Sequence, residues 1–338
     1  MRSEITIDLG ALRRNVRTLL RSLDGAELWA VVKANAYGHG AVECADAALG
    51  AGASALCVAT VPEALQLRRE LADARILVLG PASNREIAQA REAELALAVS
   101  SDAIPEGVAV HVKLDSGMGR WGMSELPGPA REIVGLMTHL ATADSDPEFA
   151  RTQIERFREA TAPLAHLKRH VANSAATLRL PESHFDAVRC GIALYGLSPF
   201  GTDAAEDGLE AVLSWRSEIA LSKLLRAGES TGYGRRFVAE RDTWIGIVPV
   251  GYADGFRRDL TGTEVRVAGE RCRVIGTVSM DATAVELERE LPPGTPVTIV
   301  GPGVPLEEHA RVAGTITYEL ACHLDSSPER ARRVIVDS

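Results

Sequence analysis

The sequence predicts an α/β protein, a (β/α)8 barrel followed by a C-terminal antiparallel β domain. Two observations support this prediction. Between residues 10 and 200, short segments rich in Val, Ala and Leu alternate with amphipathic helical segments, a pattern typical of a parallel sheet. After the polar stretch 201–208, the pattern changes to short alternating segments separated by turn residues, as in an antiparallel sheet.

The barrel prediction depends on the strand segments in the first part of the chain. The eight candidates are 28–35, 55–60, 75–80, 95–100, 108–115, 133–141, 170–173 and 187–196. Helices fit between most of them, for example at 61–71 and 146–164. Eight strands favour a closed barrel of the TIM type, although a doubly wound open sheet would give a similar pattern.

Two connections in this region are short. Residues 101–107 and the Pro/Gly-rich stretch 124–132 leave little room for the helix of a parallel crossover, which usually needs about ten residues or more. We therefore expect a barrel that lacks most of two outer helices on one side.

The last third of the chain predicts the β domain. Its candidate strands are 243–250, 264–267, 272–278, 283–287 and 296–300. We also expect residues 4–7 to join the edge of this sheet. The predicted division is an N-terminal strand at 1–9 that joins the β domain, the barrel at 10–205 and the β domain at 206–338.

Composition restricts the partners and the compartment. The chain has 338 residues and a net charge of −9, which argues against a nucleic-acid surface because phosphate binding needs clustered cations. The five cysteines are widely spaced and odd in number, which favours reduced thiols over a disulfide framework. The first ten residues carry Glu4 and Asp8 without an apolar run, and no apolar stretch reaches transmembrane length. We expect a cytoplasmic protein.

Two motifs suggest cofactor or metal sites but lack the context that those sites need. Residues 117–122, GMGRWG, match the dinucleotide-binding pattern GxGxxG, but the prolines and glycine at 127–129 stop the helix that must follow it. The pair His166 and His170 has helical spacing but lacks the glutamate of HExxH, and His170 starts a predicted strand. We therefore expect neither nicotinamide nor a metal.

The stretch 31–40, VVKANAYGHG, is the most informative part of the chain. An apolar strand ends in Lys33, and Tyr37 and two glycines follow. Catalytic side chains of a (β/α)8 barrel lie at the C-terminal ends of its strands. A partly desolvated lysine there can act as an amine nucleophile. The alternative interpretation is a lysine that caps a buried strand and reaches into water.

Other candidate residues are tyrosines and cations. Tyr233 and Tyr252 lie in TGYGR and GYADG, whose glycines permit tight turns and a projecting ring. A neutral phenol works as a base only beside cations or hydrogen-bond donors. Candidate partners are His139 at a strand end, Arg120 in the glycine-rich turn and Arg189 inside an apolar strand, where an arginine is costly unless it is paired or used.

Nine motifs occur in the order found in one family. They are VVKANAYGHG, HVKLDSGMGR, THLATAD, ANSAATL, VRCGIALYG, GYGRRF, PVGYADG, SMD and GTITYE. In these residues the chain resembles the bacterial alanine racemases, from about residue 4 to residue 319. The resemblance implies an isomerase that uses pyridoxal 5'-phosphate (PLP) to interconvert L-alanine and D-alanine and supplies D-alanine for peptidoglycan.

The resemblance also implies the PLP site. Lys33 would hold PLP covalently, and Arg189 would face the pyridine nitrogen. Because an arginine keeps its proton, the ring nitrogen stays unprotonated, which favours return of a proton to Cα over other reactions. The remaining implied PLP contacts are Tyr37, Asn173, Ser174, Gly191, Ile192 and Tyr318.

Racemisation needs one acid–base group on each face of the substrate, and the family resemblance gives these roles to Lys33 and Tyr233. His139 would bond Tyr233 and relay to Arg189. The substrate carboxylate would be held by Arg120 and the N–H of Met280.

Further implications concern modification and assembly. Lys113 matches a lysine that is often carbamylated in the family, where the added negative charge orients the substrate-binding arginine. In relatives, Tyr233, Tyr252, Met280 and Asp281 act on the site of the neighbouring subunit. The resemblance therefore implies a homodimer with shared sites.

The chain departs from most relatives at 101–107, at 124–132, before His170 and at 324–338. Three alternatives stay open. One is a racemase that prefers serine or has broad specificity, and another is a non-catalytic PLP-binding protein with the same barrel. The third is a decarboxylase of the same fold type, which would place an acid where this chain has Arg189.

Overall fold

The computed structural model describes residues 2–338 and divides into two compact units. The barrel unit comprises Leu12–Phe200 and Ala204–Glu210. The sheet unit comprises the described residues up to Ala11 together with Gly201–Asp203 and Ala211–Ser338. The chain starts with strand β1 (Glu4–Asp8) and helix α1 (Leu9–Arg21).

The barrel unit contains a closed barrel of eight parallel strands. In chain order they are β2 (Glu27–Val31), β3 (Ala55–Val58), β4 (Ile76–Val78), β5 (Ala96–Val99), β6 (Ala109–Lys113), β7 (Ile133–Met137), β8 (Lys168–His170) and β9 (Ala187–Cys190). Pairing of β9 with β2 closes the ring, so the barrel prediction is confirmed and the open sheet is excluded. The strand sequences are short and mostly apolar, as a sheet covered on both faces requires.

Helices cover most of the barrel. They are α2 (Ala41–Gly50), α3 (Val61–Glu70), α4 (Asn84–Glu92), α5 (Pro147–Thr161) and α6 (Ser174–Arg179). Capping boxes start α3 and α4, where Thr60 and Ser83 pair with glutamates three residues later. Within the described residues, no helix joins β5 to β6 or β6 to β7, so the prediction of two shortened connections is confirmed. One result is that Val134 on β7 is 42% exposed.

The sheet unit is built on a nine-stranded sheet with a small hairpin beside it. The strands are β10 (Leu213–Glu218), β11 (Leu221–Leu225), β12 (Ser230–Thr231), β13 (Phe237–Val238), β14 (Thr243–Val248), β15 (Glu264–Val267), β16 (Glu270–Ile275), β17 (Thr283–Leu287), β18 (Pro296–Val300) and β19 (Arg332–Val336). Their order in the large sheet is β11-β14-β17-β16-β15-β18-β10-β1-β19, and β12 pairs with β13. Helices α7 (Leu306–Ala313) and α8 (Thr317–Cys322) follow β18.

Strand β1 lies inside this sheet and not at its edge. It pairs antiparallel with β10 and parallel with β19. The expected edge position is therefore wrong, because the sequence reasoning missed β19, a short segment with two arginines and several exposed side chains. The proposed boundaries at residues 9 and 205 remain a prediction.

No helix within residues 2–338 has the length and apolar character needed to cross a membrane. In the same residues, none of the five cysteines forms a disulfide.

Candidate active site

Lys33 follows β2 at the carboxyl end of the barrel strands, on an unusual turn. The predicted strand 28–35 is too long, because β2 ends at Val31 and the backbone then becomes left-handed. The φ angles of Ala34, Asn35, Ala36 and Tyr37 are 52°, 53°, 54° and 53°. A left-handed conformation costs an L-residue roughly 1–2 kcal/mol, so other contacts must hold this turn in place.

Hydrogen bonds from neighbouring elements stabilise the turn. The backbone N–H of Ala34 donates to Oε1 of Glu63 at 2.7 Å, and the N–H of Ala41 donates to Oδ1 of Asn35 at 2.9 Å. The other carboxylate oxygen of Glu63 accepts from the N–H groups of Ala59 and Thr60. Glu63, the capping-box partner of Thr60 at the start of α3, thus also fixes the backbone beside Lys33.

Four cations influence one another at this end of the barrel. Burial, followed by the charges of Arg189 and Arg120, lowers the pKa of Lys113 to about 8. Lys33 contributes to the same effect. Burial and these four cations also hold the pKa of His139 well below its usual value. The pocket therefore carries a concentration of positive charge that suits an anionic ligand.

Arg120 and Lys113 both face the ring of Trp121. The Arg120 guanidinium carbon lies 5.3 Å from the ring centroid, and the Lys113 ammonium lies 5.4 Å from it. Asp115 shapes the same loop, because its carboxylate accepts from the N–H groups of Gly117, Met118 and Gly119. Backbone donors therefore occupy this carboxylate. In the described residues between Gly122 and β7 there is no helix after the GxGxxG segment.

Arg189 is only 4% exposed, and its guanidinium is well satisfied. One terminal nitrogen donates to Nδ1 and the carbonyl oxygen of His170, both at 2.7 Å. The other donates to the carbonyl oxygens of Thr138 at 2.7 Å and Val171 at 3.2 Å. These four bonds use the two terminal nitrogens, and none of them goes to His139. The relay from His139 to Arg189 remains a prediction. The bond between His139 and Tyr233 remains a prediction.

The implied phosphate contacts come together where β8 and β9 end. The Ser174 hydroxyl oxygen accepts from the N–H groups of Gly191 at 3.0 Å and Ala193 at 3.3 Å, which leaves its hydrogen to donate. A Cβ on Gly191 would lie 2.4 Å from the Tyr37 hydroxyl oxygen, so a side chain there would displace the tyrosine. Nearby, Oδ1 of Asn173 caps α6 by accepting from the N–H of Ala176.

These residues fit a cofactor that carries both a phosphate and an aldehyde. Hydroxyl groups and backbone N–H groups at the turns around residues 174 and 191 suit a phosphate dianion. Lys33 supplies an amine beside them, and Ile192 opens a fully buried turn behind the cradle. Two observations support this fit: the close contacts among Ser174, Gly191 and Tyr37, and the excess of cations around Lys113.

The sheet unit carries the remaining candidate residues. Tyr233 lies at the tip of the β12–β13 hairpin with 72% of its surface exposed, as its flanking glycines predicted. Tyr252 and Met280 lie on adjacent turns, joined by donation from the Tyr252 N–H to Ser279 O and from the Ala253 N–H to Met280 O, both at 3.0 Å. Within the described part of the chain, no group accepts a hydrogen bond from the Met280 N–H. Tyr318 lies half-buried in the first turn of α8.

A charged network behind these turns was missed from the sequence. The buried carboxylate of Asp254 accepts two hydrogen bonds from Arg2, at 2.7 and 3.0 Å. It also accepts from the N–H of Gly251. Arg330 lies 3.7 Å from Asp254 and donates to Asp281 at 2.8 Å. The residues are far apart along the chain, so no local pattern indicates this network.

Two histidines in the barrel were also missed, although one belongs to the HxxxH pair discussed above. Nδ1 of His111 and Nε2 of His170 lie 2.8 Å apart, and His170 contacts Arg189. His166 lies in the turn before β8. Among the described residues, no group of three or more His, Cys, Asp or Glu side chains is arranged to hold a metal.

Fold and site together define a (β/α)8 protein of the kind that binds a phosphate-bearing cofactor at the carboxyl end of its strands. Residues 7–199 match the family model of the alanine racemase N-terminal domain, and residues 212–334 match that of the C-terminal domain. The chain therefore belongs to the alanine racemase family, whose members are PLP-dependent isomerases.

Individual relatives agree with this assignment. The chain is 41% identical to alanine racemase 1 of Bacillus subtilis, over 96% of this chain and 91% of that protein. A crystal structure of alanine racemase from the D-cycloserine-producing Streptomyces lavendulae has a TM-score of 0.92 and 36% identity, and covers 100% of this chain and 98% of that one. The structure of alanine racemase from Bartonella henselae, with covalently bound pyridoxal phosphate, has a TM-score of 0.90 and 28% identity. The match covers 99% of this chain and 100% of that one.

Proposed function

We propose that this protein interconverts L-alanine and D-alanine with PLP, using Lys33 and Tyr233 as its two acid–base groups. The observation that carries the proposal is that Lys33 lies at the same end of the barrel as the cradle of Ser174, Gly191 and Tyr37, where cations are in excess. When bound, PLP makes the Cα proton of an attached amino acid acidic enough to remove.

The pocket residues have distinct roles in this proposal. Lys33 holds the cofactor and moves a proton on one face of the substrate. Ser174 and Tyr37 bind the phosphate, with backbone N–H groups near Gly191. Arg189 donates toward the pyridine nitrogen and keeps its own proton, so the ring nitrogen receives none. This arrangement favours return of the proton to Cα.

The substrate carboxylate is held by Arg120 and the Met280 N–H. Support comes from two observations: Trp121 stacks on Arg120, and the Met280 N–H has no acceptor among the described residues. Tyr233 moves the proton on the opposite face, with His139 as its hydrogen-bond partner.

We further propose that the protein works as a homodimer in the cytoplasm. Tyr233, Tyr252 and Met280 are 72%, 41% and 52% exposed in the single chain, which suits residues that complete the site of a second subunit. Asp281 follows Met280 in the chain, and its side chain is 59% exposed. The absence of disulfides among the described cysteines supports a reducing compartment.

The proposal is tested by following the optical rotation of L-alanine with purified protein and added PLP, and L-serine serves as the comparison. Lys33→Ala should lose both activity and the visible absorption of covalently held cofactor, whereas the exposed Lys223→Ala should keep them. Tyr233→Phe should bind PLP normally and lose turnover of L-alanine far more than proton exchange from D-alanine.

Three outcomes would overturn parts of the proposal. A fully coloured Lys33→Ala protein would contradict the lysine assignment. Equal losses in both directions for Tyr233→Phe would contradict the division of roles. Faster turnover of L-serine than of L-alanine would show that serine, and not alanine, is the preferred substrate.

A further inference from the structure

Three buried side chains form a hydrogen-bonded chain inside the barrel. An Arg189 terminal nitrogen lies 2.7 Å from Nδ1 of His170, and Nε2 of His170 lies 2.8 Å from Nδ1 of His111. The exposures of the three residues are all 5% or less. The residues come from β9, β8 and β6, so the chain runs across the barrel interior.

Donor and acceptor chemistry allows one arrangement of protons in this chain. A guanidinium only donates, so Nδ1 of His170 must accept and its hydrogen must lie on Nε2. That hydrogen then donates to Nδ1 of His111, whose own hydrogen lies on Nε2. A proton added to either imidazole would place two donors face to face.

The surroundings keep both imidazoles neutral. Burial, then Arg189, Arg75 and Lys168, lowers the pKa of His111 to about 3. The pKa of His170 is also held well below its usual value, by burial and then by Arg189 and the neighbouring groups. The nearby carboxylate, Glu27, forms ion pairs with Lys168 at 2.7 Å and Arg75 at 3.1 Å.

The barrel makes room for this chain. A Cβ on Gly135 would lie 2.2 Å from Nδ1 of His111, so a side chain at this position of β7 would displace the ring. Trp29 packs edge-on against His111, with 5.5 Å between ring centroids, and at 4.5 Å against His170. The indole N–H of Trp29 donates to Glu27 at 2.7 Å, which fixes the ring.

Arg189 is therefore held without a counter-ion. Within residues 2–338, no carboxylate forms an ion pair with it, and its hydrogen-bond acceptors are three carbonyl oxygens and one neutral imidazole. A carboxylate in place of His170 would neutralise the guanidinium and pull it away from the pocket. A neutral acceptor orients it and leaves its charge intact.

We propose that His170 and His111 are positioning residues for Arg189, and that His111 acts by fixing the tautomer in which His170 accepts from the guanidinium. The inference rests on the proposed function only in the step from Arg189 to the cofactor. The histidine tautomers and the orientation of Arg189 are properties of the protein alone and do not depend on the cofactor.

The test compares two substitutions at His111. His111→Asn keeps an acceptor near the position of Nδ1 but is smaller than histidine, whereas His111→Leu fills the space but accepts no hydrogen bond. We expect His111→Leu to lower kcat in both directions about tenfold, with less than about a twofold change in KM, and His111→Asn to retain most of kcat. A purely packing role predicts the reverse order.

A second measurement does not depend on activity. Long-range proton–nitrogen NMR of histidine-labelled protein should show His170 protonated on Nε2 alone from about pH 5 to about pH 9, and His111→Leu should disturb this state. The labelled protein is examined with and without PLP, and thermal melting confirms that each variant is folded.

The outcomes separate the inference from the proposed function. A proton on Nδ1 of His170 in the unaltered protein would overturn the inference even if His111→Leu fails to fold. Equal kcat losses for both variants, or none for His111→Leu, would also overturn it. If the unaltered protein shows the expected tautomers but does not racemise alanine, the proposed function is wrong. The inference that His170 and His111 position Arg189 is then retained.

Discussion

Lys113 shows how the surroundings of a single residue set its chemistry. It is buried at the end of β6, and its pKa is lowered to about 8 by burial and by three neighbouring cations. The ammonium form dominates below this pH, and the neutral amine dominates above it. A neutral amine reacts with carbon dioxide, so the site favours the carbamate that the family resemblance suggested.

We expect carbamate formation on Lys113 to increase between about pH 6.5 and about pH 9, as the amine loses its proton. Carbon-13 NMR with labelled bicarbonate, at constant dissolved carbon dioxide, should show a carbamate signal that follows this change. Lys113→Met should remove the signal, and Lys223→Met, at an exposed position, should not. A signal that survives in Lys113→Met would assign the reaction to another amine.

At the level of elements, the sequence predicted what depends on local pattern. The eight barrel strands follow from their apolar runs, and the short connections follow from their length and prolines. Strand β19 was missed because its stability comes from pairing with β1, more than 300 residues away. The left-handed turn at residues 34–37 was missed for two reasons. Alanine gives no sequence signal for a positive φ, and the carboxylate that supports the turn, Glu63, lies on a different helix.

The candidate site also contains residues that lie in local sequence motifs and contacts that join distant parts of the chain. Lys33, Tyr233 and the proposed phosphate residues lie in contiguous motifs, so the family resemblance was sufficient to propose them. The His111–His170 contact joins residues 59 positions apart, and each histidine alone is indistinguishable from an ordinary core residue. The hydrogen bonds that hold the terminal nitrogens of Arg189 also depend on backbone carbonyls that no sequence motif shows.

The paired turns of the sheet unit depend on close backbone contact at Gly251. A Cβ there would lie 2.2 Å from Ser279 O and 2.5 Å from Met280 O. We expect Gly251→Ala to destabilise the protein by about 1–3 kcal/mol and, by displacing the Met280 N–H, to raise KM for alanine more than it lowers kcat. Urea denaturation and steady-state kinetics measure the two effects.

Gly50→Ala is the matched control. Gly50 is exposed at the end of α2, has no atom near its ideal Cβ and has an ordinary helical backbone. We expect this change to leave KM unaltered and to stabilise the protein by about 0.5 kcal/mol. If Gly251→Ala behaves like Gly50→Ala, the two turns are not held by close contact.

At the scale of the whole molecule, the proposed catalytic groups are divided between two units. The barrel unit holds Lys33, the phosphate cradle and Arg189, and the sheet unit holds Tyr233 and Met280. The exposed tip that carries Tyr233 is a poor environment for an acid–base group until another surface covers it. A second copy of the chain supplies that cover in the proposed homodimer.

Mixing two inactive variants tests this arrangement. When Lys33→Ala and Tyr233→Phe proteins exchange subunits, half of the dimers are mixed, and each mixed dimer has one intact site. We therefore expect recovery of about a quarter of the normal activity. Each variant carried through the same exchange alone is the control. Failure to recover activity after verified exchange would place both groups in one subunit.

The left-handed turn after β2 also bears on the order in which the protein folds. Its four non-glycine residues at positive φ make local backbone hydrogen bonds, but the N–H of Ala34 depends on Glu63, which lies on α3. The turn is therefore complete only after α3 has packed against β2, and we expect it to contribute little to the transition state. Lys33, the proposed cofactor lysine, would therefore reach its final position only in a chain that is already almost native, which would limit reaction with the cofactor during synthesis.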